Sequence, residues 1–561
     1  MTQNVTYEFD RFLRHAEMSA WIDSTVAAHP GIASVETYGR SHEGRDLLLV
    51  TLTDLSTGPA HTKPAMWVDA NIHSVEVTGG VAALHLIHRL VTGFAAGDEQ
   101  IVEALRTRTF YVAPRVNPDG VEAALADSPR YRRSSMRPWP WGDRHRWPGL
   151  ETHDIDGDGR VLSMRMPDPH GAWVEHPQEP RMMIPVDHEA APAGAQRYRV
   201  LAEGTIADYD GFTIPVPRAT EGLDMNRNFP AGWGTGVTGS GDHPMSEPEI
   251  DALVRAVSAR PNICGYNAYH TNGGFLLRPS SVKPDSQLPP EDVWAFKEIG
   301  RRCTALSGYP VHSVYEDFTW DKSDTMSGAA DDWAYEHLGV FSWTTEFWDI
   351  ISAATDHRSS TYIWYEGPTV EEELAAIKWL EANAPGHVHA WRTFEHPQLG
   401  TVEIGGMDDF RAWTNTPATH LRAEVAPHSE FAIHQALLSP LLAIPHTKVE
   451  ALGNDTWRVE AGVANTGWLP THVTETARKN NLCLPGWVQI EGADTVGSPA
   501  RVQFGNLSGR SAFRLTGGIR NDGTPDRHLH TWVVRGAAGS VLTLTASHER
   551  AGTVSTTVTL G

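Results

Sequence analysis

Short apolar runs of strand length alternate with segments of helical period along the first part of this 561-residue chain, and that alternation restricts the fold more than any other feature. Leu47 to Leu52 (LLLVTL), Ala65 to Ala70 (AMWVDA) and Thr109 to Val116 (TFYVAPRV) are such runs. Apolar runs that do not alternate with polar residues predict strands covered on both faces. Before and between them, Phe9 to Ala28 and Gly79 to Val91 carry apolar residues at the 3.6 period of helices packing on a sheet. Asn117-Pro118-Asp119-Gly120 predicts a turn. Farther on, Ser246 to Ala259 predicts a helix opened by Ser246 and Glu249 at capping-box spacing. Ile263 to Tyr269 and Gly339 to Phe347 predict strands, and Thr369 to Asn383 a second helix with a capping box, Thr369 and Glu372. The expected fold is α/β, a mixed twisted sheet flanked by helices.

Two regions depart from this pattern. Residues 138 to 221 are rich in Pro, Gly, Trp, Asp and Arg and show little periodicity, so they are expected to be a long insertion with local structure. After about residue 392, short Val/Thr/Leu-rich runs recur between Gly, Asn and Pro: Trp457 to Ala464, Trp487 to Ile490, Phe513 to Leu515, Leu529 to Val534, Ser540 to Ala546 and Val554 to Leu560. That spacing predicts an all-β sandwich. The expected division is a domain over 1–392 and a β-sandwich domain over 393–561, with Ser429 to Leu438 a helix near the junction.

Charge narrows the function. Lys and Arg total 46 against 69 Asp and Glu, a net charge of −23. Nucleic acid is not an expected partner, because binding it needs a basic face. No apolar run approaches the roughly 20 residues of a membrane span. Met1 to Arg14 has no apolar signal core, so a cytoplasmic setting is expected. Cys264, Cys303 and Cys483 are too dispersed for a disulfide framework or a metal knuckle.

The chemistry starts at His73-Ser74-Val75-Glu76, between a predicted strand and a predicted helix. Imidazole nitrogen and carboxylate oxygen both ligate zinc. Spacing alone is weak, since 28 His among 69 acids supply roughly three such pairs by chance. Four further segments add weight. Asp224-Met225-Asn226-Arg227-Asn228-Phe229-Pro230 puts an amide beside a guanidinium, a fork for a carboxylate. Tyr269-His270-Thr271-Asn272 ends a strand with a histidine. Trp343-Thr344-Thr345-Glu346-Phe347 sets an acid in an apolar run, which is costly unless it is paired, metal-linked or cleft-facing. Pro114 to Gly120 is read as architectural.

In that order, His-x-x-Glu, VNPDG, NRNFP, a late strand-ending His and TTE resemble the zinc carboxypeptidases of the A and B type. The resemblance covers about residues 1 to 390, minus the insertion. It implies one Zn2+ per chain on His73, Glu76 and His270. It implies Asn226 and Arg227 on the terminal carboxylate of a peptide or small carboxylate-bearing amide, and Glu346 as general base. An arginine ahead of the NRN segment would steady the oxyanion. Arg133 is the expected one, with Arg132 and Arg137 as alternatives.

The family's mobile tyrosine has no direct counterpart. Ungapped alignment puts Asp324 there, and a loop insertion would put Tyr315 there. Asp331, in Ala330-Asp331-Asp332-Trp333, resembles the B-type acid that selects basic C-terminal residues, and is equally read as a helix-start acid. Within the insertion, Asp154, Asp156 and Asp158 followed by Gly159 open like a Ca2+ loop. Its closing position holds Arg165, leaving Asp168 or Glu175 as substitutes, against a reading as a solvated Asx-turn loop. The competing functions are a zinc amidase or deacylase, a peptidoglycan stem-peptide hydrolase, and a non-catalytic peptide-binding relative. The oligomeric state is left open.

Overall fold

The computed structural model describes residues 6–139, 147–217, 222–323, 325–513 and 522–561, the side chain of Trp364 excepted. Eight strands form the central sheet: β1 (Ala33–Arg40), β2 (Asp46–Leu52), β3 (Ala65–Ala70), β4 (Thr109–Ala113), β5 (Ile263–Thr271), β6 (Phe275–Arg278), β7 (Val311–Ser313) and β8 (Phe341–Phe347). Their spatial order is β1-β2-β4-β3-β5-β8-β6-β7. The four in the middle, β4, β3, β5 and β8, run parallel. Antiparallel pairings join β1 to β2, β2 to β4 and β6 to β8. Every residue of β3 and β5 is buried, as expected for apolar strands covered on both faces.

Helices cover the two faces. Val77–Ala96 lies on one side with Leu86, Ile87 and Leu90 fully buried. Pro248–Ser258 and Pro290–Ser307 contribute Leu253, Phe296 and Ile299 to the other core. Three predicted boundaries move. The first helix spans His15–Ala28: Phe9 takes a positive φ of 61°, and the chain stays non-helical up to the extended N-cap Arg14. Asn117 to Gly120 is a helix start rather than a turn: the Asn117 carboxamide caps Gly120 N–H at 3.0 Å and Pro118 opens helix Pro118–Ala124. The Ser246–Glu249 capping box does not form. The helix starts at Pro248, and Glu249 instead accepts the backbone N–H of His42 at 2.7 Å. The Thr369–Glu372 box forms as expected.

Strands of the insertion, Ser163–Pro167, Trp173–His176, Glu179–Pro185 and Tyr198–Ala202, join Val388–His396 and Gly400–Met407 in one six-stranded sheet. A strand therefore runs through position 392. Helix Leu421–Leu438 follows and packs on Val77–Ala96, with His85 Nδ1 2.8 Å from Ser429 Oγ. Two four-stranded antiparallel sheets begin at Leu442. Their facing residues Val459, Trp532, Val488 and Leu544 are fully buried, and Val541–His548 alternates buried with exposed positions as a sandwich strand should. Of the predicted strand Phe513 to Leu515, the last two residues lie outside the described ones.

Arg550 fastens the sandwich to the rest. It is 4% exposed, and its guanidinium donates to the carbonyls of Gly339 (3.2 Å), His472 (3.1 Å) and Leu338. Removing it strands several buried acceptors at once. Arg550→Ala is expected to lose roughly 3 kcal/mol of stability, read as a lowered urea midpoint of the whole chain.

Candidate metal centre

The parallel strands β3, β5 and β8 all end at one edge, and the chemistry-bearing residues collect there, as expected for the carboxyl ends of such a sheet. The chain leaves β3 through Asn71, whose positive φ (57°) turns it sharply toward His73. Helix Val77–Ala96 then starts in close contact with β5. A Cβ on Gly79 would meet the Tyr269 carbonyl at 2.7 Å, so only glycine allows that approach. The approach brings Glu76 against His270 at the end of β5.

Three buried side chains converge. His73 Nδ1 is 2.9 Å from Glu76 Oε1, His270 Nδ1 is 2.9 Å from Glu76 Oε2, and the two Nδ1 atoms are 3.1 Å apart. They are 3%, 3% and 2% exposed for His73, Glu76 and His270. The outer face of His73 is fixed by Asp224, whose Oδ1 lies 2.9 Å from His73 Nε2. A proton held on Nε2 leaves the Nδ1 lone pair pointing at the other two groups. Tetrahedral zinc at about 2.0–2.1 Å from N and O ligands needs donor atoms about 3.3 Å apart. The donor set and its spacing therefore fit a zinc ion.

The electrostatics agree with a cation position. Burial alone would raise the Glu76 carboxyl, but the two imidazoles outweigh it and hold the group well below its ordinary range. Burial depresses His73 and is outweighed by the Glu76 and Asp224 carboxylates, so its pKa is raised. Glu346 sits directly across the β5–β8 ladder from His270. Burial, with Glu76 and Asp331 nearby, lifts its pKa to about 8, against the opposing pull of His270 and Arg133.

These groups open onto one cleft of about 230 Å³, and Arg133, Asn226, Arg227, Asp331 and Glu346 all line it. Arg133 Nη1 is 3.2 Å from Glu76 Oε1 and its Nε 3.4 Å from Asp224 Oδ2. Arg137 is turned away to Glu247 at 2.6 Å, and Arg132 and Arg137 are not among the lining residues. The Asn226 carboxamide oxygen accepts Ala330 N–H at 2.9 Å, which locks its orientation. Asp331 is 2% exposed on helix Ala330–Trp333 and lines the cleft together with Leu277, Val314 and Thr344.

Two expectations gain no support from the geometry. Tyr315 does not face the cleft. It follows Val314 on the turn Val314–Phe318, and neighbouring residues of a helical turn point apart. Val314 and Phe318 line the cleft, while the Tyr315 ring packs under Lys322 Nζ at 5.0 Å. The alternative, Asp324, lies outside the described residues. The second is calcium. Asp154 accepts the N–H groups of Gly157 and Gly159 at 2.7 and 2.9 Å, and Arg392 bridges Asp156 and Asp158 at 2.9 and 2.7 Å. A guanidinium thus already neutralises Asp156 and Asp158. The substitutes Asp168 and Glu175 are paired with Arg199 and Arg165. Asp154 and Asp156 do lie close to Glu203, which is itself occupied by the N–H groups of Ile155 and Leu162 at 2.7 and 2.9 Å.

Asp224 was missed as a partner of the site. It stands two positions before Asn226, in plain view, but its mate His73 is 151 residues away and only the fold joins them.

Comparison with known proteins places the chain among relatives. The family model described as zinc carboxypeptidase matches residues 18–155 and 193–355, more than half of the chain. A model for a domain of unknown function (DUF8731) matches 441–559. Carboxypeptidase B of Astacus astacus is 30% identical over 160 residues, 28% of this chain and 44% of that protein. Carboxypeptidase A5 of Macaca fascicularis is 22% identical over 355 residues, 61% of this chain and 62% of that protein. In both cases the match spans less than two thirds of the relative. Among solved structures, thrombin activatable fibrinolysis inhibitor aligns with a TM-score of 0.44 at 16% identity, covering 77% of this chain and 76% of that one. Carboxypeptidase A of Helicoverpa armigera aligns at 0.39 and 18%, covering 68% and 76%.

Proposed function

The chain belongs to the zinc carboxypeptidase family, and from that premise we propose that it removes C-terminal residues from peptides at the cleft just described. The observation that carries this reading is the convergence of His73, Glu76 and His270 opposite Glu346, in a cleft that also holds Asn226 and Arg227. His73, Glu76 and His270 would hold the zinc, which when bound acidifies a water and polarises the scissile carbonyl. Arg227 offers a two-pronged donor for the terminal carboxylate, and Asn226 a neutral one beside it. Glu346 takes the proton of the attacking water and passes it to the leaving nitrogen. Arg133 donates to the oxygen that gains charge as the carbonyl becomes tetrahedral. The same reading divides the chain into a catalytic unit and a β-rich unit near Leu442 instead of at the expected 392/393 division, because strand Val388–His396 runs through 392 and the two sandwich sheets begin at Leu442.

Asp331 supports a finer reading, a preference for Lys or Arg at the C-terminus. Burial raises its carboxyl above the usual range, and a cation entering the pocket would restore the ionised form. Asp331→Asn is expected to lower kcat/KM on substrates ending in Lys or Arg by about 100-fold, with substrates ending in Leu nearly unaffected. An equal fall on both would remove the preference but leave the activity.

The test of the whole is a panel of N-blocked dipeptides and their C-terminal amides, with zinc measured per chain. Release of the free C-terminal residue, lost when its carboxylate is amidated, is the expected result. Faster cleavage of the amides favours an amidase, and binding without turnover a non-catalytic relative.

A further inference from the structure

The loop that bears His73 and Glu76 is held from outside the family-matched region. Helix Val77–Ala96 begins immediately after Glu76, and no side chain of its own N-cap satisfies the first N–H groups. Such orphan donors need a partner when buried. Asn415 supplies it from far along the chain. Its Oδ1 accepts Thr78 N–H at 3.0 Å, and its Nδ2 donates to the Val75 carbonyl at 2.8 Å. One carboxamide thus spans the backbone on both sides of Glu76. Asn415, Thr78 and Thr416 are fully buried, and Thr416 N–H donates to Thr78 Oγ1 at 3.1 Å. The Phe410 carbonyl takes a further bond from Asn415 Nδ2 at 3.0 Å, fixing which way the amide points.

The same segment touches the other two strands of the site. The Trp413 carbonyl accepts Asn272 Nδ2 at 3.0 Å, two residues beyond His270. The Ala412 carbonyl accepts Trp348 Nε1 at 2.8 Å, and Glu424 accepts Trp348 N–H at 3.0 Å, two residues beyond Glu346. The family match ends at residue 355, so each of these contacts joins the matched region to residues beyond it.

We propose that Asn415 is a positioning residue for the metal loop: it holds Val75 and Thr78 so that Glu76 meets His73 and His270 at ligating distance. The inference rests on the reading of those three as the ligands. Hydrogen-bond partners behind metal ligands typically set metal affinity by 10–100-fold, and the Asn415 contacts act one step further back, through the backbone.

The experiment measures the zinc dissociation constant by chelator competition, and the visible spectrum of the cobalt-substituted protein, for the full chain. Asn415→Ala is expected to weaken zinc binding by about tenfold and to shift the cobalt bands. Asn415→Asp keeps the acceptor for Thr78 and loses the donor to Val75, and is expected to fall between wild type and alanine. Leu421→Ala thins the packing of the same segment without touching the loop, and is expected to lower the melting temperature at unchanged zinc affinity. The proposal is overturned if Asn415→Asp, and Asn415→Ala where it folds, bind zinc as wild type does. It is equally overturned if Leu421→Ala weakens zinc as much as they do. A wild-type protein that binds no zinc overturns the ligand reading and this one together. A wild type that binds zinc beside unaffected Asn415 variants overturns this one alone.

Discussion

Glu346→Gln is expected to lower kcat by about 1,000-fold while leaving KM and zinc content near wild type. Glutamine keeps the volume and the cross-strand position opposite His270 but cannot accept a proton from water at neutral pH. The pH dependence carries the same signature. In the metal-free site Glu346 ionises at about 8, held up chiefly by burial and by Glu76 and Asp331. A divalent cation facing it stabilises the charged form and draws that value down, so the acid limb of kcat/KM for the loaded enzyme should lie below 8. Activity rises with pH through that limb, because the base works only when ionised. In the glutamine variant the limb should disappear along with the rate.

Stability moves the other way. A glutamate in the unfolded chain ionises near 4.3, so the folded metal-free protein binds a proton that the unfolded chain has released. That difference costs stability increasingly as pH rises from about 4.3 toward 8. Glu346→Gln should therefore melt higher than wild type at neutral pH once the metal is stripped. A variant that is slower and more stable is the mark of a group placed for chemistry rather than for folding. A rate within tenfold of wild type would remove Glu346 from the role of base.

Much of this was legible in the sequence because local rules and global fold agree there. AMWVDA reads as a doubly covered strand and is one, since its apolar character leaves no other place for it. His73 and Glu76 were legible as a pair because they share one turn. What brings His270 to them is the parallel pairing of β3 with β5, and residue spacing alone does not encode that pairing. Tyr315 lies outside the cleft lining for a related reason: alignment places a residue along the chain but not around a helical turn. The Asp154 loop shows the limit of motif reading. Its first six positions match a cation loop, and the cation that neutralises two of its acids is Arg392, more than 230 residues on. Asn415 carries no signal at all, since an asparagine after an aromatic-rich turn is ordinary until the fold sets it against a helix start.

Stripping the metal with a chelator is expected to abolish hydrolysis and to lower the melting temperature, both restored by added Zn2+. A ligand that binds only the folded state stabilises it by about 4.1 kcal/mol at 1,000 times its dissociation constant. For a catalytic unit of this size that corresponds to a shift of about 5 °C. His270→Ala should mimic the stripped protein and resist rescue, because it removes one of the three donors and leaves Glu76 with a single imidazole nearby. Acid should release the metal as well. Zinc and proton compete for the Nδ1 atoms, and the Glu76 and Asp224 carboxylates raise the proton affinity of His73 in the metal-free site, so zinc is lost as pH falls, not as it rises. Set beside Glu346→Gln, the two results separate holding the metal from moving the proton. One variant keeps zinc without turnover; the other loses zinc, turnover and thermal stability together. Full activity in a chelated protein free of zinc would overturn the assignment of His73, Glu76 and His270, because no other group of three ligating side chains among the described residues faces Glu346.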